Sequence, residues 1–144
     1  RGPPVLPPPG ARGSPPEVLA RAHPVVWAAA LTPDTRHMID AGALARMRDG
    51  ATLVNIARGG LIDHDALTEE ARRGRLRIAL DVTEPEPLPA DHPLLHLPNV
   101  LVVPHLGSAS VSTRRAMAQM AIENLAAALA GRPMPACANP EVFP

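Results

Sequence analysis

The 144-residue sequence carries 14 arginines, 14 acidic residues, one cysteine and neither lysine nor tyrosine, so its formal charge is zero. That length suits one domain with a real core and is short for a two-domain enzyme. The balanced charge speaks against a nucleic-acid or anionic-membrane surface, and no uncharged apolar run approaches the ~18–20 residues of a membrane span. A single cysteine allows no internal disulfide, which fits a reducing, cytoplasmic compartment. No apolar run follows the N-terminus, so no secretory signal is expected, and Arg1 in place of Met points to a fragment.

Eight of the 19 prolines fall within the first 24 residues, so residues 1–15 are expected to be extended or disordered. Residues 16–131 then read as one partial domain and 132–144 as a tail. Val25-Val26-Trp27-Ala28-Ala29-Ala30 is a predicted buried strand, stopped by Thr32-Pro33-Asp34. A short helix follows over 41–48, then a strand over 52–56. Asp63 is a good N-cap for a helix through Arg73, with Gly74 just beyond its end. A third strand is read over 76–82 and a fourth over 100–103, joined by a Pro-punctuated loop. Ser108 is the expected cap of a last helix over 109–130, closed by Gly131. Short apolar strands alternating with helices predict an α/β fold whose parallel sheet is covered on both faces.

In open parallel sheets, ligands bind beyond the carboxyl ends of the strands. Here three such ends each deliver an ionisable group: Arg58 after 52–56, Glu86 after 76–82 and His105 after 100–103. Arginine offers a planar fork for a carboxylate, and histidine moves protons near neutral pH when a carboxylate orients it. Such a set suits chemistry on a 2-oxo or 2-hydroxy acid. The plainer alternative is two surface charges and a loop histidine.

Four motifs in this order resemble the D-isomer-specific 2-hydroxyacid dehydrogenases. They are Leu31-Thr32-Pro33-Asp34-Thr35, Asn55-Ile56-Ala57-Arg58-Gly59-Gly60, Asp81-Val82-Thr83-Glu84-Pro85-Glu86-Pro87-Leu88-Pro89 and Pro104-His105-Leu106-Gly107-Ser108-Ala109. The 83–89 stretch, His92-Pro93-Leu94-Leu95 and Thr113-Arg114-Arg115 look most like the glyoxylate/hydroxypyruvate reductase branch. The resemblance implies the C-terminal half of a doubly wound, Rossmann-like nucleotide-binding domain, here incomplete. It implies an oxidoreductase that uses NAD or NADP on a small 2-oxo acid, with a homodimer for the complete enzyme. By the same resemblance, Arg58 would bind substrate, His105 would protonate the keto oxygen, and Glu86 rather than Glu84 would partner the histidine. Leu31, Thr32, Ile56, Ala57, Asp81, Gly107 and Ser108 match positions beside the nicotinamide, as do Arg58 and His105.

The sequence departs from the family pattern in two places. It contains no Gly-x-Gly-x-x-Gly to cradle a pyrophosphate. From Gly74 to Asp81 it is one residue short, which sets Arg77 where a small or apolar residue is usual. If the loop absorbs the gap little changes; if the strand does, its faces swap. The chain alone is therefore expected to be poorly stable and without turnover, with an open edge at the strand 25–30 or 52–56. Its final helix would show apolar surface.

Other groups carry blander readings. His92 and His96 have helical spacing but flanking prolines and no third ligand, so no metal site is expected. His64 reads as solvated, Met117 and Met120 as packing residues, Cys137 as inert, and Arg72, Arg73, Arg75 and Arg77 as a helix end. Two non-catalytic alternatives remain: a half-domain that only binds, and an Arg1-x-x-Pro4-x-x-Pro7 ligand for an SH3-like groove.

Overall fold

The computed structural model describes residues 13–142. The Arg1-x-x-Pro4-x-x-Pro7 motif and most of the Pro-rich segment lie outside them. Two compact units make up the chain, one ending at His105 and the other beginning at Leu106.

The first unit opens with a helix that the proline count hides, α1 (Pro15–Arg21). Glu17 reaches back to the Ser14 amide and hydroxyl at 2.8 Å each, and prolines fill the first two helical positions, where a missing N–H costs nothing. Ser-Pro-Pro-Glu is the cue that marked this start. Leu19 anchors the helix in the core and the helix packs on α2 (Ala41–Arg46), which Asp40 caps through the Ala43 N–H at 2.8 Å.

Four strands, β1 (Pro24–Trp27), β2 (Thr52–Asn55), β3 (Arg77–Leu80) and β4 (Val100–Val102), form one parallel sheet in sequence order. Because every step moves the same way, right-handed crossovers put their connections on one face. The burial pattern agrees. Val25, Trp27, Leu53, Asn55, Ile78 and Leu80 are buried, whereas Val26 and Leu101 on the alternate positions are more than half exposed. Within the first unit the helices thus lie on one face of the sheet. Of the two strands expected to leave an edge open, β1 lies at an edge of the sheet, whereas β2 pairs on both sides.

Asp63 caps α3 (His64–Arg72) as expected, accepting from the Asp65 and Ala66 amides, and Gly74 follows at φ +68°. β3 keeps a regular core face, as expected if the turn after α3 absorbs the missing residue. Arg77 stands opposite Thr52 facing out, while Ile78 and Leu80 stand opposite Leu53 and Asn55 facing the core. Fully buried Leu76 leads the strand in, so its faces are kept. The basic cluster is tied up in structure. Arg72 pairs with Glu69, Arg73 with Glu70, and Arg75 bridges buried Glu70 (2.7 Å) to the Leu44 carbonyl (2.8 Å).

In the second unit, α4 (Val111–Leu129) begins later than expected. Ser110, not Ser108, is its cap, accepting from the Thr113 N–H at 3.1 Å, while residues 106–109 form a turn closed by the Ala109 amide on the Leu106 carbonyl. Met117, Met120, Ile122, Leu125 and Leu129 are all exposed, so the packing role expected of the two methionines is corrected. Asn124 pins the returning tail by two bonds to the Ala136 backbone. Among the described residues no helix is long and apolar enough to cross a membrane, and no cluster of metal-binding side chains is present.

Candidate active site

Each strand of the first unit runs out at the same edge of the sheet, and the turns beyond them carry the charged groups. Asn55 ends β2 fully buried. Its side-chain amide donates to the Arg58 carbonyl at 2.9 Å and its oxygen accepts the Ala57 N–H at 3.0 Å. This local turn sets where Arg58 leaves the sheet. The sequence motif alone gives Asn55 no role; an asparagine two residues before a turn amide is the available cue.

Gly59 then lies flat against the loop that follows β3. A β-carbon on it would sit 2.1 Å from the carbonyl carbon and oxygen of Thr83, so no other residue fits without moving one loop. Thr83 in turn donates to the Pro85 carbonyl at 2.8 Å, and the Glu84–Pro85 and Glu86–Pro87 peptides are both cis.

Glu86 and His105 meet across this edge. His105 Nδ1 lies 2.7 Å from Glu86 Oε1, with both side chains a little under half exposed. His105 has φ +52°, a left-handed conformation rare outside glycine, and its amide donates to the Val103 carbonyl at 3.0 Å. The pair lines a cleft of about 460 Å³ with Asp81, Thr83, Leu88 and Leu95 among its walls. Glu84 points elsewhere: Arg36 Nη2 donates to both its oxygens at 3.0 and 3.1 Å, and His37 Nε2 lies 3.6 Å away. The guanidinium holds the Glu84 carboxyl below the usual carboxylate range.

Arg58 does not touch this pair. Its guanidinium donates to the Ala57 carbonyl at 2.6 Å and lines a second, open cleft with Leu31, Ile56, Ala57 and the alanines 28–30. Thr32, beside Leu31, is held in a tight turn by Thr35, whose hydroxyl accepts the Thr32 N–H at 2.7 Å. Asp81 is buried in the wall of the first cleft. Gly107 and Ser108 belong to the second unit. The clefts therefore gather Arg58, Glu86 and His105, with Leu31, Ile56, Ala57 and Asp81, at the carboxyl edge, in two adjoining groups.

His64 is not solvated as the sequence suggested. It is half-buried, its Nδ1 lies 3.2 Å from the Ile62 carbonyl, and its Nε2 accepts the Glu84 N–H at 3.3 Å. Desolvation pulls its pKa below the ordinary histidine value, against the raising effect of the Ile62 carbonyl. His92 and His96 serve the loop, His92 Nδ1 accepting the Leu94 N–H and His96 Nε2 meeting the Ala90 carbonyl.

The second cleft is walled by small and aliphatic residues whose exposed surface mixes backbone polar groups with side-chain carbon, while the first is mostly apolar, with Asp81 and His105 adding polar groups. A pyrophosphate cradle is not among these residues.

Comparison with known proteins gives the family of the chain. The family model for the D-isomer specific 2-hydroxyacid dehydrogenase NAD-binding domain matches residues 9–107. Glyoxylate/hydroxypyruvate reductase B of Pectobacterium atrosepticum is 50% identical over 114 residues, which are 78% of this chain and 36% of that protein. The TT0316 protein of Thermus thermophilus superposes with TM-score 0.85 at 46% identity, over 91% of this chain and 42% of its own. A D-isomer specific 2-hydroxyacid dehydrogenase from Xanthobacter autotrophicus Py2, solved with NADPH and MES, gives TM-score 0.69 at 39% identity over 90% of this chain and 53% of its own. The chain thus spans little more than a third of the length of the reductase it matches.

Proposed function

The chain belongs to the D-isomer specific 2-hydroxyacid dehydrogenase family, and on that premise we propose that its sheet edge supplies the acid–base and carboxylate-binding residues of a nicotinamide-dependent reductase. The substrate is a small 2-oxo acid of the glyoxylate or hydroxypyruvate kind, and the product the D-2-hydroxy acid. The observation that carries this reading is the 2.7 Å contact between Glu86 and His105 in a cleft at the strand ends.

In this reading Glu86 accepts the Nδ1 proton of His105, which turns Nε2 toward the cleft and stabilises the ring once it is charged. His105 then gives its Nε2 proton to the keto oxygen as the carbonyl becomes a hydroxyl, and takes it back in the reverse direction. Arg58 releases the Ala57 carbonyl and presents its fork to the substrate carboxylate. Bound NADH or NADPH supplies the hydride that reduces the carbonyl carbon. Leu31, Thr32, Ile56, Ala57 and Asp81 of the first unit would hold its nicotinamide end. The family resemblance also supports a homodimeric complete enzyme working in the cytoplasm.

The test is a chimera in which residues 16–131 replace the matching segment of the Pectobacterium reductase, so that the relative provides the pyrophosphate cradle and the substrate domain. Hydroxypyruvate-dependent oxidation of NADH or NADPH that disappears with His105→Ala is the expected result. A folded chimera that binds cofactor but shows no such oxidation would mean that this segment only binds.

A further inference from the structure

Glu84 stands two residues before Glu86 in the loop after β3, yet its side chain turns away from the cleft. Three strand-end turns meet on it. From the turn after β1, Arg36 Nη2 donates to both carboxylate oxygens at 3.0 and 3.1 Å, and His37 Nε2 lies 3.6 Å off. From the turn after β2, His64 Nε2 accepts the Glu84 amide at 3.3 Å, its ring held on the other side by Ile62. The first two turns are themselves joined, the His37 amide donating to the Gly60 carbonyl at 2.9 Å. Gly60 leaves room for the pair, because a β-carbon there would come within 2.9 Å of Arg36 and 3.1 Å of Glu84.

The loop after β3 has few backbone hydrogen bonds of its own around Glu86, so its direction must be set from outside. We propose that Glu84 is a positioning residue whose ion pair with Arg36 and amide bond to His64 hold the 83–87 loop so that Glu86 reaches His105. The inference deepens the proposed function and rests on reading Glu86 and His105 as the proton-transfer pair. Glu84 and Arg36 are about two-fifths and one-half exposed, so their pair adds little to folding. Its effect lies in where Glu86 points. By engaging Arg36, Glu84 also leaves His105 to Glu86 alone.

The experiment is ¹⁵N NMR of the whole chain with labelled histidines at about pH 8, where imidazoles are neutral. In the parent protein His105 gives the signature of a single Nδ1–H tautomer, because Glu86 accepts that proton. Glu84→Gln is expected to lose that single signature and give a mixture, while Arg72→Gln, which breaks an ion pair of similar exposure on α3, leaves it intact. Arg36→Gln removes the same tie from the exposed partner and decides the matter if Glu84→Gln fails to fold. A His105 ring that stays in one tautomer in these variants, with the amide spectrum native, overturns the proposal. Glu86→Ala separates the two levels. If it changes His105 while Glu84→Gln does not, only the positioning role falls; if Glu86→Ala is silent, the pair itself falls, and the positioning role with it.

Discussion

Gly59 and Thr83 are packed backbone to backbone, with no space between them for even one methyl group. The turn that carries Arg58 is thereby seated directly on the loop that leads to Glu86, and β2 and β3 beneath them are hydrogen-bonded neighbours. Sheet pairing sets the coarse spacing of the two groups and this contact sets the fine one. A glycine is needed here for the close approach, not for an unusual φ.

Gly59→Ala should therefore destabilise the chain by about 2–3 kcal/mol, the range expected when a rigid contact is overpacked. Urea unfolding of the two proteins checks this. An unchanged midpoint would show that the loops part freely.

Asn55 gives a second expectation. Asn55→Ala leaves the Arg58 carbonyl and the Ala57 amide without their partner, which should cost about 1–3 kcal/mol. Asn55→Asp keeps an acceptor for Ala57 but sets a carboxylate oxygen against the Arg58 carbonyl. It should be at least as unstable as Asn55→Ala near neutral pH, and thermal melts of the pair would rank them.

Stability should also respond to mild acid through His64. The unfolded chain takes up its proton near pH ~6.5, whereas the half-buried ring, whose Nε2 already accepts the Glu84 amide, does so only at lower pH. Through that window the unfolded state binds more protons, so the His64 contribution is complete above it and fades as the pH falls. His37 and His92 face the same ring and disfavour its charge, while Glu84 opposes them. Glu84 and Glu17 have depressed pKa values too, but theirs act lower, in the carboxylate range. Denaturant midpoints measured from neutral pH downward should fall first in the histidine window, and His64→Gln should flatten that part of the curve.

Kinetics would separate the roles of the two clefts in an active chimera. His105→Ala removes the proton donor and should lower kcat by about 10²–10⁴-fold, the usual worth of a general acid. Arg58→Ala should act chiefly on KM for the 2-oxo acid, with Arg58→Lys only partly restoring it because an ammonium lacks the two-pronged fork. Equal losses of kcat in both variants, with KM unmoved, would contradict this division.

Much of the site was legible before any coordinates. The α/β class and the three charged residues at strand ends follow from short motifs, because strand, turn and charge are adjacent in the chain, while the choice of Glu86 over Glu84 as the histidine's neighbour came from the family resemblance alone. The caps at Asp63 and Gly74 were equally local, and Ser-Pro-Pro-Glu ahead of α1 was a local cue outweighed by the surrounding prolines. What the amino-acid sequence could not express is anything that depends on which segments become neighbours. One-directional strand order set the first unit's helices on one face and put β1 at an edge of the sheet, since handedness of crossover is a property of the assembled sheet. His64 became a half-buried acceptor only because the loop after β3, twenty residues on, delivers the Glu84 amide to it. Sequence determined which groups stand at each strand end; tertiary packing decided which of them touch, because hydrogen bonds and van der Waals contacts act over a few ångströms of space, whatever the distance along the chain.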